Sequence, residues 1–231
     1  MAVSQRGIKK AILALLGQAE LEDLLAALAG YPPEKLLNSL FSGICSASEK
    51  TKWNAVAAMG TTVARLADQE LEAARIVMRR FMWNLNDESG GIGWGTPEAL
   101  AECLACHDGL AGEYSHILVS FMREDGFYLE LPSLQRGLMW GIGRLAQVHP
   151  ELLHAWQAPC YLLPYLDSDD QTVQALAARA LGLLGVRAAA PKIEKLLQAT
   201  SAVSLYTAGQ LHQIPTADLA REALAALQSA P

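Results

Sequence analysis

Charge is what this sequence has least of. Asp, Glu, Lys and Arg make up 18% of its 231 residues, against about 25% in a typical soluble protein. The charges are never massed. The densest basic runs are the pairs Lys9-Lys10 and Arg79-Arg80, and the formal net charge is -6. Such a chain is not drawn as a whole to phosphate backbones, so no nucleic-acid partner is expected without a local basic patch. Cysteine is scarce too. Cys45, Cys103, Cys106 and Cys160 do not make the dense framework of a small secreted domain, and a reducing cytoplasm is the expected setting. Long apolar runs are missing, so no membrane span is expected. Ala11 to Leu16, after Lys9-Lys10, imitates a signal peptide, but the run is short and passes into Glu20, Glu22 and Asp23 without a cleavage site. It reads as an amphipathic helix.

Sustained strand-like alternation is also lacking, and helical periodicity dominates. With 52% hydrophobic residues the chain can bury a substantial core, and its length predicts one all-α domain over residues 1–231. Helices are expected over residues 5–16 and 21–29, ended by Gly17 and Gly30. Another follows Pro33, and another is capped by Ser48 and carries Val56, Val63 and Leu66. Further helices are expected over residues 70–85, 97–108, 110–124 and 132–148. Residues 86–95 cannot be helical, because four glycines disfavour it. Thr96-Pro97-Glu98 then restarts the chain with a cap, a first-turn proline and an acid at the positive helix end.

The clearest repeat signal lies further on. Tyr161-Leu162-Leu163-Pro164-Tyr165-Leu166 leads into the turn Asp167-Ser168-Asp169-Asp170, then Val173, Ala177, Ala180-Leu181-Gly182 and Leu184-Gly185. The next unit echoes it with Ala190-Pro191, Ile193, Leu196 and Leu197, followed by Val203, Tyr206 and Leu211. Gly60 and Gly143 fit the glycine position of earlier units. This pattern resembles HEAT repeats, including their phycobilisome-lyase-like variant, most specifically over residues 159–197; the clearest repeats run over 159–228. The resemblance implies an α-α superhelix of about five to six helix pairs, each unable to cover its own apolar side alone. It also implies an extended concave surface for partners, and by itself no reaction.

No complete catalytic motif is present. The segment Ser89-Gly90-Gly91-Ile92-Gly93-Trp94-Gly95 lacks the Gly-Lys-Ser/Thr ending of a phosphate loop and follows no strand. It is either a plain connection or an insertion on the binding face, carrying Asp87, Glu88 and Trp94. On the helix before it, Val77, Phe81 and Leu85 form the core stripe, and Arg79 and Trp83 fall nearly opposite. Helix 132–148 repeats the arrangement: Leu134, Leu138, Ile142 and Leu145 form the stripe, Arg136 and Trp140 lie opposite, and Arg144 is beside them. Trp and Arg are enriched at binding hot spots, but a helix covered on several sides would use a second apolar face for packing. Both readings stand at this point.

Cys103-Leu104-Ala105-Cys106-His107 matches the haem c attachment motif, inside an expected helix and without an export signal. It has no second Cys-x-x-Cys or His pair to complete a zinc site. Cys103, Cys106 and His107 are therefore weak metal candidates, and no cofactor is assigned. His107, Glu113, Tyr114 and His116 form a polar cluster whose simplest account is a solvated helix face.

Two functions from different classes follow. The first is a non-enzymatic cytoplasmic binding or scaffold protein, holding a protein or a small anionic ligand at Arg79, Arg80, Trp83, Asn84, Asp87, Glu88, Trp94, Arg136, Trp140 and Arg144. The second is an enzyme or cofactor handler on a HEAT scaffold, tetrapyrrole lyase-like or haem-related. A DNA glycosylase, also found among HEAT-like families, conflicts with the acidic balance.

Overall fold

The computed structural model describes residues 5–86 and 92–229, and among these the protein is built almost entirely from helices. Thirteen α-helices and three short 3-10 segments make the described residues 75% helical, with one two-stranded sheet among them. Two compact units divide it, one running to Leu110 and the other starting at Ala111.

The first unit holds α1 (Gln5–Gln18), α2 (Leu21–Ala29), α3 (Pro33–Ile44), α4 (Glu49–Gln69), α5 (Leu71–Leu85) and α6 (Thr96–Cys106). Helix α4 is its centre, packing against each of the other five. Its sequence explains why. Ala55, Ala57, Ala58 and Gly60 keep it thin, so neighbours approach closely. A Cβ on Gly60 would stand 2.7 Å from Glu102 Cγ and 2.9 Å from Cys106 Sγ of α6. Polar side chains of α4 also finish its neighbours. Asn54 Nδ2 donates to the carbonyls of Leu16 and Ala19 at 2.9 and 3.1 Å, and Arg65 donates to those of Leu28, Ala29 and Tyr31. They lie at or just past the ends of α1 and α2, where carbonyls run short of intrahelical partners. Lys52 of α4 pairs at 2.7 Å with the buried Glu98 in the first turn of α6.

Helix α7 (Asp108–Ser120) crosses the division, and the second unit continues with α8 (Pro132–Ala146), α9 (Pro150–Ala155) and α10 (Ala158–Leu162). A 3-10 segment (Leu163–Asp167), α11 (Gln171–Leu183) and α12 (Ala190–Lys195) follow. Strands β1 (Ala202–Thr207) and β2 (Gln210–Pro215) and helix α13 (Thr216–Ser229) complete it. Helix α11 packs between α8 and α13. The Ala180-Leu181-Gly182 signature lies in that contact and is fully buried. A Cβ on Gly182 would meet the Ala223 backbone at 2.6 Å, and one on Gly143 would meet Arg179 Nη1 at 2.9 Å. Gly60 and Gly182 thus mark close helix–helix approaches, while the atom nearest to Gly143 is the tip of the Arg179 side chain.

Three expectations need correction. Residues 203–211 do not continue a helix. They belong to an antiparallel hairpin pairing Val203 with Ile214 and Leu205 with His212. Its turn residues Ala208 and Gly209 have φ of 50° and 80°, the left-handed pair of a tight hairpin turn. Val203 and Leu205 are buried while Ala202 and Ser204 are exposed, a period of two over too few residues to register against the helical spacing of Val203 and Tyr206. The expected helix 110–124 begins at Asp108 and ends at Ser120. His107 caps it, its Nδ1 accepting from the Leu110 amide at 3.1 Å, while residues 121–131 turn back toward α8. Helix α1 runs one residue past Gly17, which here does not end the helix.

Candidate functional site

Helix α5 presents the most unusual surface of the first unit. Ala74, Val77, Met78 and Phe81 are buried on one side. On the other, Ile76 is 59% and Trp83 is 74% exposed. An isoleucine and a tryptophan seven residues apart share a helix face, and Arg79 stands between them. The Arg79 guanidinium donates to Glu72 at 2.6 Å, and Arg75 approaches the other oxygen of Glu72 at 3.5 Å. These contacts, Arg79 foremost, hold the Glu72 carboxyl below its usual range. Arg80 faces another way, lying 3.7 Å over the Phe41 ring with Nη1 donating to Asn38 Oδ1 at 3.1 Å.

The chain returns to this helix after the Gly-rich segment. A Cβ on Gly93 would stand 2.8 Å from the Asn84 carbonyl, and one on Gly95 would stand 2.3 Å from that of Ile44. Gly95 also has φ of 70°, which disfavours any side chain. The Cys45 thiol donates to the Trp94 carbonyl at 3.6 Å. Residues 92–95 are thus seated on the ends of α3 and α5. Gly93 touches Asn84, so Trp94 and Trp83 each lie one residue from the same contact. Trp94 is 45% exposed and Ile92 is exposed. Among the described residues of the first unit, the exposed large apolar side chains are Ile76, Trp83, Ile92 and Trp94, all from this one region. Asp87 and Glu88 lie outside the described residues.

The corresponding residues of α8 are placed differently. Trp140 is only 5% exposed, its Nε1 donates to the Tyr206 carbonyl at 2.9 Å, and the two rings stand 6.4 Å apart. Its off-stripe face is covered by β1, which corrects the expectation of a binding surface there. Arg136 donates from Nε and Nη2 to Asp170 Oδ2 at 2.9 and 2.6 Å. Arg144 and Arg179 are both half-buried, and the pKa of Arg179 is lowered by desolvation first and then by the charge of Arg144.

The side chains of the Cys-x-x-Cys-His segment are engaged within the protein. Cys103 is fully buried and its thiol is pushed well above the usual range by burial. Cys106 Sγ donates to Glu102 Oε1 at 3.5 Å. Both His107 ring nitrogens face protein partners, Nδ1 the Leu110 amide and Nε2 Asp68 at 3.7 Å. No cluster of three or more metal-ligating side chains occurs among the described residues. His116 stacks against Trp156 at 5.2 Å.

Pattern reading missed a pocket of about 550 Å³ inside the second unit. It is lined from the turn after α7 by Arg123, Glu124 and Tyr128, from α8 by Gln135, and from α10 and the 3-10 segment by Tyr161 and Tyr165. The three tyrosines are spread over 38 positions of sequence, and only the turn at 121–131 brings Tyr128 to the other two.

No protein-family model and no curated protein matches this chain. Solved structures do. A designed armadillo repeat protein matches with a TM-score of 0.55 at 19% identity, covering 98% of this chain and 95% of its own. Another, in complex with the peptide (KR)4, gives 0.52 at 18% identity over 94% and 98%. The archaeal HEAT-like repeats protein from Thermococcus onnurineus NA1 gives 0.41 at 16% identity over 100% and 83%. The protein has a HEAT/armadillo-like α-solenoid repeat fold. No helix among the described residues is long and apolar enough to cross a membrane.

Proposed function

We propose that the protein is a non-enzymatic, cytoplasmic binding module that holds a protein partner on the exposed side of α5 and the adjoining residues 92–95. The observation that carries this reading is the concentration of Ile76, Trp83, Ile92 and Trp94 on one part of the first unit. A grouped set of large apolar side chains in water marks an interaction site, whereas scattered ones need no explanation. Trp83 is the anchor, since a flat aromatic ring loses little conformational freedom on burial. The flanking side chains define the partner's chemistry. Arg75 and Arg79 outnumber Glu72 on this part of α5, so the complement is a protein segment with an apolar side chain and a carboxylate beside it. A repeat fold suits this role, and one designed armadillo protein of similar fold was solved holding a peptide.

A photo-crosslinking residue at the exposed position 86, which leaves Trp83 in place, identifies the partner segment, and titration of that segment against Trp83→Ala tests the reading. Loss of a hot-spot residue weakens binding by about 30-fold or more, with Arg79→Ala giving a smaller loss that shrinks in high salt. Equal affinity of Trp83→Ala and the unaltered protein would refute the proposal.

A further inference from the structure

The pocket of the second unit is built around one hydrogen-bond donor held from behind. Gln135 is 8% exposed, and its Nε2 donates to the Leu129 carbonyl at 2.9 Å and to the Tyr128 hydroxyl at 3.1 Å. Tyr165 is 6% exposed and also bonds to Tyr128. That bond raises the Tyr165 pKa, after burial and the charge of Tyr128. A bond has this sign when it keeps the proton in place, so Tyr165 is the donor. The Tyr128 oxygen thus accepts twice, which uses both of its lone pairs. None of the described residues accepts the proton of Tyr128 itself. Its side chain lines the pocket and is 37% exposed there. Two accepted bonds polarise an O–H group and strengthen it as a donor.

The charges on the walls narrow what that donor can meet. Arg123 is engaged by Asp125 through two hydrogen bonds of 3.0 and 2.8 Å, and its guanidinium lies 5.1 Å over the Tyr161 ring. Asp167 is paired with Lys192. An anion would find the arginine of the pocket already engaged and three acids, Glu124, Asp125 and Asp167, around it. A cation without an acceptor would leave the Tyr128 proton unmet. The rest of the wall includes Met122, Tyr161 and Pro164, which suit an apolar or aromatic body.

We propose that this pocket binds a neutral carbonyl compound with an aromatic or apolar body, whose oxygen accepts from the Tyr128 hydroxyl while the body packs on Met122, Tyr161 and Pro164. The hydrogen bond replaces one to water and sets orientation, and burial of the body supplies most of the affinity. A volume of about 550 Å³ leaves room for such a ligand. The chemistry is shared by an aromatic residue with its amide on a peptide and by a free aromatic amide, and it does not rest on the α5 reading.

The test is ligand-observed NMR titration of the full chain with benzamide, benzoate and benzylamine, which share a ring and differ in charge and in acceptor, and with N-acetylphenylalaninamide as a peptide-like probe. At least one of the two amides is expected to bind with a Kd below about 5 mM and about tenfold tighter than either charged analogue. Tyr128→Phe keeps the ring and loses the donor, so it should weaken the amide by about tenfold, while Trp83→Ala should leave it unchanged. Tighter binding of N-acetylphenylalaninamide than of benzamide identifies a peptide ligand, and the reverse a free small molecule. The unaltered protein gives a second readout. The exposed Cys160 lines the pocket and Cys45 does not, so the bound amide should slow alkylation of Cys160 several-fold and leave Cys45 unaffected. Binding of neither amide, a charged analogue binding as tightly as the amide, undiminished affinity in Tyr128→Phe, or an unprotected Cys160 would overturn the proposal.

Discussion

Replacing Trp83 by Ala removes a ring that is 74% exposed, so the stability should change by no more than a surface substitution does, about 0.5 kcal/mol. The same change at Trp140 removes a buried ring and the bond to the Tyr206 carbonyl. It should cost roughly 3–5 kcal/mol, and thermal melts of the two variants measure the difference. The two residues look alike in sequence, each opposite its helix's core stripe, because helical spacing fixes a direction and not what lies there. Trp140 is covered by a strand 66 residues away, which no local window contains. Burial also decides the thiols. Under native conditions iodoacetamide should label exposed Cys160 first, then Cys45, whose thiol is raised by partial burial, and Cys103 hardly at all. Peptide mass spectrometry reads this order, and fast labelling of Cys103 would contradict its burial. No haem adduct is expected on Cys103 or Cys106.

Helix α11 depends on a cap that was partly visible in its sequence. Asp170 accepts at Oδ1 from the amides of Thr172 and Val173, both at 3.0 Å, while its other oxygen holds Arg136. The Asp-rich turn announced a helix start; the role of Arg136 in holding that aspartate did not show, because the two are 34 residues apart. Asp170→Ala should cost about 1 kcal/mol through loss of the cap. Asp170→Asn keeps the cap and loses the charge, so it isolates the pH effect. Burial opposes ionisation of Asp170, but the bonds from Arg136 and the two amides outweigh it, and the net pKa is lowered. A carboxyl lowered on folding stabilises the native state above its unfolded value of about 3.9. That contribution is lost as the pH falls through the folded value. The stability gap between the unaltered protein and Asp170→Asn should therefore be full at pH 6 and narrow below about pH 4. Urea titrations across that range measure it, and a pH-independent gap would remove Arg136 from the account. The hairpin was not legible at this scale, since its buried alternation rests on Val203 and Leu205 alone.

The repeat architecture was legible because it is written in spacing and not in residue identity. Proline and glycine punctuate the helices, and small residues recur where helices must approach, so the fold matches designed armadillo proteins at only 18% and 19% identity. Electrostatics at the same scale gives the last prediction. The chain has 18 basic and 24 acidic residues, and many of its cations are already engaged. Lys50 pairs with Glu20, Lys52 with Glu98, Arg123 with Asp125, Arg136 with Asp170 and Lys192 with Asp167. On α5, which carries three arginines, Arg75 and Arg79 share Glu72, and Arg80 is turned onto Phe41. A duplex would have to displace these partners before it could exchange its counterions for protein charge, and the surplus acids would repel it throughout. Fluorescence anisotropy with a labelled duplex at about 150 mM salt should show no binding tighter than about 100 μM, the weak end of non-specific affinity. Lowering the salt should recover little, because the basic residues are nowhere massed beyond a pair and the net charge is -6. A submicromolar Kd with a steep salt slope would mean that Arg75, Arg79 and Arg80 leave their partners to form a phosphate-binding face, and the charge argument would fail.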